Sequence, residues 1–249
     1  MRIAVCVKRV GMLGDDVEFT DDGRDVDPDY LDFALNEWDR YAVEEALRLR
    51  DAHGGEVVVV SVGDEETETE LRECLAMGAD RAVRVWGDEL EGAHDPFVLA
   101  RALAAGIESP DLVFCGAQSA DSVQGATGGA LAGVLGLPCV AVVTKLQVEG
   151  RCAQVHRELE GGVIDVIEVE LPAVLTIQTG INEPRYVTLR AMKQVQDKEV
   201  RLVERNDLGP PAYRVEAMQV PERTRAASLG EDVTDVAQRI LELVMEARK

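Results

Sequence analysis

From Cys115 the chain reads Cys115-Gly116-Ala117-Gln118-Ser119-Ala120-Asp121-Ser122-Val123-Gln124-Gly125-Ala126-Thr127-Gly128-Gly129. A short apolar run ends there and a helix of small residues begins. In an open α/β sheet, ligands lie beyond the carboxyl ends of the strands, near helix N-termini. Free N–H groups and the helix dipole at such a terminus favour a phosphate. Gly116 and Gly125 permit close backbone approach, and Ser119, Ser122, Gln124 and Thr127 offer neutral donors. The spacing is neither a Walker loop nor the GxGxxG fingerprint. On composition alone, a capped βα loop without a ligand is the alternative.

A second candidate is Leu35-Asn36-Glu37-Trp38-Asp39. It stands where another helix begins. Asn36 or Asp39 could cap that helix, and Trp38 could equally belong to the core. Lys8-Arg9 follow the first strand and bring positive charge to the same edge. If the strands are parallel, the three loops converge on one nucleotide pocket.

Other chemistry is not signalled. No serine, histidine and aspartate share a credible spacing, and nothing nominates a nucleophile. Glu158 and Glu160 precede the hairpin glycines Gly161-Gly162 and read as solvated or structural. The three histidines share no metal-ligand spacing. The five cysteines include no Cys-x-x-Cys pair, which suits a reducing compartment. Net charge is −21, so nonspecific binding to nucleic acid is not expected. The acidity serves solubility, or an encounter with basic partners. No apolar run approaches the ~20 residues of a membrane helix, and the first residues read as a strand, not a signal peptide. The expected location is the cytoplasm, or the mitochondrial matrix in a eukaryote.

The elements around these loops alternate. Ile3–Val7 and Val57–Val62 read as buried strands, the second nearly all valine, as in a parallel sheet covered on both faces. Arg81–Trp86 and Leu112–Cys115 are further strands. Helices are expected over Trp38–Leu49, Glu66–Met77, Asp95–Ala105 and Ala126–Leu135. Residues 10–28, rich in glycine and acids, read as an irregular excursion or weak hairpin. After Pro138 come strands over Val140–Gln147, Gln154–Leu159, Val163–Glu170 and Val174–Gln178, which could add antiparallel strands. The fold class is α/β: a doubly wound, mostly parallel sheet with added antiparallel strands, then a C-terminal arm and helix. The expected domains are 1–190, the nucleotide-binding unit, and 191–249. Lys198–Ser228 reads as an extended arm. Asp232–Ala247 reads as an amphipathic helix with little core of its own, expected to pack on another chain.

Several segments carry a family resemblance. They are Ala4 to Val10, Ala42-Val43-Glu44-Glu45-Ala46, Leu75-Ala76-Met77-Gly78-Ala79-Asp80-Arg81, Arg157-Glu158-Leu159-Glu160-Gly161-Gly162 and Asn182-Glu183-Pro184-Arg185-Tyr186. Together they resemble the β subunit of electron transfer flavoproteins, over nearly the whole chain. The resemblance implies a heterodimer with an α subunit, and FAD held mainly by that subunit. It also implies a structural AMP in this chain, and no substrate chemistry here. By position, the AMP contacts would be Cys6, Asn36 to Asp39, Val62, and Gly116 to Thr127. Leu189 matches the leucine that anchors such subunits in a hydrophobic pocket of partner dehydrogenases. A downstream acceptor then takes the electrons.

The chain also departs from common members of the family. Asn36-Glu37-Trp38 replaces Asn-Pro-Phe, and Ser119-Ala120-Asp121-Ser122 replaces an acidic run. Both variants resemble the branch serving trimethylamine-type dehydrogenases. Leu13 stands where some members place a tyrosine near the flavin. Two alternatives remain: a subunit of an electron-bifurcating flavoprotein with a second FAD in place of AMP, and a stand-alone nucleotide-binding protein.

Overall fold

The computed structural model describes residues 1–14, 16–221 and 232–247. Its described residues form two units, Met1–Met218 and Gln219–Lys249. The first is built on a sheet of nine strands among the described residues. The strands are β1 (Arg2–Cys6), β4 (Glu56–Val62), β5 (Arg81–Trp86), β6 (Leu112–Gly116), β7 (Cys139–Glu149), β8 (Cys152–Leu159), β9 (Val163–Glu170), β10 (Ala173–Ile177) and β11 (Val200–Glu204). Their spatial order is β11-β5-β4-β1-β6-β10-β7-β8-β9. From β11 to β7 all neighbours run parallel, and β8 and β9 continue as an antiparallel hairpin. A separate ribbon pairs β2 (Arg9–Leu13) with β3 (Leu31–Leu35).

The valine run explains the sheet's interior. Val57 and Val59 face one layer of the core, with Ile3, Val5 and Phe114. Val58 and Val60 face the other, with Ala4, Cys6 and Cys115. Alternating side chains serve both faces only because helices cover both. Helices α1 (Glu37–His53) and α2 (Glu68–Met77) pack on the first layer, and α3 (Pro96–Gly106) and α4 (Thr127–Leu135) on the second. Each fully buried valine or leucine contributes roughly 1.5–3 kcal/mol of transfer free energy. Local signals set the ends. Asp95 caps α3 by accepting from Phe97 N, with Pro96 in the first turn. Gly136, left-handed at φ 65°, closes α4.

The chain winds outward in both directions from β1. The crossovers from β1 to β4 and from β4 to β5 use one face, and α3 then carries the chain to β6 by the other. The winding therefore reverses between β1 and β6. That is the switch point at which such sheets bind ligands.

The excursion takes the hairpin alternative, with its paired strands at Arg9–Leu13 and Leu31–Leu35 reaching beyond the expected bounds. Two other segments differ from expectation. Strands β7 and β10 are parallel members of the main sheet, with β10 inserted between β6 and β7. The arm is not extended throughout: β11 pairs with β5 from Val200 to Glu204, and Leu208 is buried. Residues 191–218 thus lie in the first unit, and the division falls at 218/219, not at 190/191. Residues 222–228 of the expected arm lie outside the described residues. In the second unit, α6 (Val233–Ala247) is helical as expected, and Ile240, Leu243 and Val244 on its apolar face are exposed. Among the described residues, no helix is long and apolar enough to cross a membrane.

Candidate functional site

Four parallel strands end at the switch-point edge: β4 at Val62, β1 at Cys6, β6 at Gly116 and β10 at Ile177. The register that pairs Val5 with Phe114 sets Cys6 opposite Cys115, both buried. The neighbouring Cys6 thiol and burial push the Cys115 thiol well up, so Cys115 is no nucleophile, and with the buried Cys6 it forms apolar floor. Val62 is half-buried. Cys6, Val62 and the loops at 36–39 and 116–127 therefore share one edge.

Asn36 and Asp39 join these loops. Asn36 holds the N-cap position of α1, yet its side chain makes no capping bond. Its Nδ2 donates to Gln118 O at 2.9 Å, and its Oδ1 accepts from Ala120 N at 3.2 Å. Asp39 Oδ2 accepts from Lys8 N at 2.8 Å, and its Oδ1 accepts from Gly116 N at 3.0 Å. One buried carboxylate thus fastens the ends of β1 and β6. Burial pushes its pKa up to about 7 against the bonds from Asn36, Lys8 and Gly116. Gly116 is required here, because a Cβ would fall inside contact distance of Asp39 Oδ1 and 2.7 Å from Trp38 Cβ. Trp38 Nε1 donates to Gln178 Oε1 at 2.7 Å, which ties in the end of β10. Glu37 opens α1 with an exposed side chain.

The loop beyond Gly116 is internally braced. Ala117 N donates to Ile177 O at 2.8 Å. The Ser119 and Ser122 hydroxyls are 2.8 Å apart, and Val123 N donates to Ser119 O at 3.0 Å. Val123 and Gly125 both take positive φ, 53° and 59°. For Gly125 that conformation costs nothing. Lys8 Nζ reaches Asp121 Oδ1 at 2.7 Å. Burial would raise the Asp121 carboxyl, but Lys8, Ser119 and Ser122 outweigh it and hold it below its usual range. Ala126 then leads into α4 with no side-chain cap, and no acidic residue stands in the first turn. The first N–H groups of that helix need acceptors from elsewhere.

Two contributors were not legible in the sequence. Gln178 carries the one weak signal, a polar residue closing a buried strand. Tyr213 lies in the proline-bearing arm, where no pattern marks it. Its hydroxyl donates to His94 O at 2.8 Å and meets the Gln124 amide at 2.7 and 3.0 Å. Leu189 stands apart from this edge. It opens α5 (Leu189–Gln194), capped by Thr188, whose Oγ1 accepts from Ala191 N. Leu189 is 82% exposed and Tyr186 89%. Among the described residues, no cluster of three or more His, Cys, Asp or Glu side chains could hold a metal.

The site is a braced, glycine-containing cradle at an uncapped helix terminus, suited to holding a phosphate. Comparison with known proteins identifies the family. Residues 26–208 match the electron transfer flavoprotein domain. The chain is 42% identical to the electron transfer flavoprotein subunit beta of Methylophilus methylotrophus, across 99% of this chain and 98% of that one. It is 31% identical to the Bacillus subtilis subunit beta, across 90% of each. It is 35% identical to that of Mus musculus, across 84% of this chain and 83% of that one. With the domain matched through both loops of the cradle and the identity sustained along the chain, this protein belongs to the electron transfer flavoprotein β-subunit family.

Proposed function

We propose that the chain is the β half of a heterodimeric electron carrier, and that the cradle holds AMP. The observation that carries the nucleotide reading is the start of α4. Its N–H groups lack a side-chain cap, they lie at the switch point, and Gly125 brings the backbone close to any occupant. The residues present fit a phosphate. Lys8 neutralises Asp121, the acidic residue of the loop, and Ser119, Ser122, Gln124 and Thr127 supply neutral donors.

In this reading AMP is structural. It completes the helix terminus and joins the loops at 36–39 and 116–127 into one edge. FAD, when bound, supplies the one- and two-electron chemistry, and it is held mainly by the α subunit. Leu13, 62% exposed at the tip of β2, offers the flavin no hydrogen bond from this side. The chain has no substrate chemistry of its own. It shapes the dimer, presents Leu189 to a dehydrogenase of the trimethylamine type, and lets a downstream acceptor take the electrons. The second unit supplies surface for the α subunit. The working compartment is the cytoplasm, or the mitochondrial matrix in a eukaryote.

The test is nucleotide analysis of the co-purified heterodimer after denaturation. One FAD and one AMP per dimer supports this reading. Two FAD would replace it with electron bifurcation, and a dimer that releases FAD but no second nucleotide would overturn the cradle as a nucleotide site.

A further inference from the structure

Two of the segments that carry the family resemblance, distant in sequence, meet in space. Residues 42–46 lie in the middle of α1. Residues 182–186 belong to the irregular connection between β10 and α5. Glu44 accepts a bidentate bond from Arg185, with Nε to Oε2 at 2.7 Å and Nη2 to Oε1 at 3.1 Å. The Arg185 backbone N–H donates to the same carboxylate at 3.2 Å. Arg48 supports Glu44 from one turn along, at 3.1 Å, and donates to Glu183 O at 3.3 Å. Asn182 Nδ2 donates to Glu45 Oε2 at 2.9 Å and to Tyr41 O at 3.0 Å. The Glu44, Glu45 and Asn182 residues are buried. Burial works to raise the Glu44 carboxyl, but Arg185 outweighs it and holds it below its usual range. Glu44 is therefore charged and paired.

A connection without regular structure is ordinarily mobile. This one is fastened along its inner side by charge-assisted bonds, the strong kind. Tyr186 on the connection and Leu189 at the start of α5, which it leads into, both stand far into solvent. Two exposed apolar side chains beside a rigid polar base are what a preorganised contact requires. Ordering the loop in advance removes that entropy loss from the binding step.

We propose that the Glu44–Arg185 pair, with Glu45–Asn182 beside it, is the positioning element that fixes the loop presenting Leu189 to the partner dehydrogenase. The proposal rests on the docking role given to Leu189 above. The hydrogen bonds of Arg185 and Glu44 go to each other, Arg48 and Met77 O, not to the loops of the cradle; they act through the loop. The bidentate fork matters, because lysine carries the charge without the fork.

The test uses the intact heterodimer with two readouts. The first is amide hydrogen exchange of residues 182–190. The second is steady-state electron transfer from a reduced trimethylamine-type dehydrogenase. Arg185→Met should speed exchange in that segment. It should also raise half-saturation about tenfold, equivalent to re-ordering about one residue on docking, with turnover at saturation and flavin content unchanged. Arg185→Lys should lie between. The double variant Glu44→Gln/Arg185→Met leaves no uncompensated buried charge, and should show the same kinetics if folding of the single variant suffers. In a Leu189→Ala background, Arg185→Met should add little. Unchanged exchange in both Arg185→Met and the double variant would overturn the clamp. Faster exchange with normal half-saturation, while Leu189→Ala raises it, would overturn the positioning role. Faster exchange with Leu189→Ala also silent would overturn the docking reading on which the role depends.

Discussion

Replacing Asp39 by asparagine should change how stability depends on pH, not only its size. Asp39 is 4% exposed and fastens β1 to β6 through the Lys8 and Gly116 amides. Its pKa is pushed by burial from 3.8 to about 7. Between those values the folded protein binds a proton that the unfolded chain does not. Its contribution to stability is therefore fully present below the unfolded value and is lost as pH rises through about 7. One pKa unit is worth about 1.4 kcal/mol, so this group can remove as much as about 4 kcal/mol between pH 4 and pH 8. Asparagine does not titrate and loses that slope. It also turns one acceptor into a donor, leaving one buried amide unpaired at a cost of roughly 1–3 kcal/mol. The variant should be clearly weaker than the parent at pH 5 and close the gap by pH 8. Denaturant unfolding of the heterodimer, at fixed protein and AMP concentrations, can be followed by the emission of Trp38 beside the altered residue. A difference between parent and variant that stays constant from pH 5 to pH 8 would refute the reasoning, because Asp39 would then keep one charge state throughout.

Gly116→Ala should cost about 1–3 kcal/mol by overpacking against Asp39 and Trp38, read as a lower midpoint of unfolding. Gly125→Val forces a β-branched residue into the left-handed region, with its Cβ 3.1 Å from Ala117 O; AMP content should fall and FAD content should fall less. Leu189→Ala should raise half-saturation for the dehydrogenase about tenfold to hundredfold, matching the roughly 1.5–3 kcal/mol of burying a leucine, and leave the melting temperature unchanged. Truncation after Pro221 spares the first unit, which ends at Met218, and should weaken assembly with the α subunit in sedimentation.

The sequence announced strands and helices wherever one period dominated. Arg81–Trp86 and Val163–Glu170 have the observed bounds because apolar or alternating runs there stop at turn residues. β11 was hidden because its burial is partial and irregular along Val200–Glu204, so charge masked the pattern. A hairpin was one of two readings for the excursion, but the bounds of β2 and β3 were hidden because the acidic tip between them dominates the composition. The position of β10 was beyond reach, since sequence order says nothing about which edge a strand joins. At the site, the glycines and hydroxyls stood out, and Asn36 and Asp39 looked like caps. Their work across loops was not legible, because a cap is a local relation and a link from residue 36 to residue 120 is not. Tyr213 had no signal at all.

The place of β10 fixes an order of events during synthesis. β6 and β7 are made one after the other, yet they never pair, because β10 lies between them. Until Ala173–Ile177 has emerged from the ribosome, both strands carry an open edge. At ~5–20 residues per second that interval lasts on the order of several seconds. The cradle waits as well, since Ala117 is anchored to Ile177 and Trp38 to Gln178. A nascent chain stalled before β10 would hold most of the loop residues and still lack a finished pocket. If the cradle holds AMP as proposed, its capture is deferred until the strand that closes the sheet has arrived.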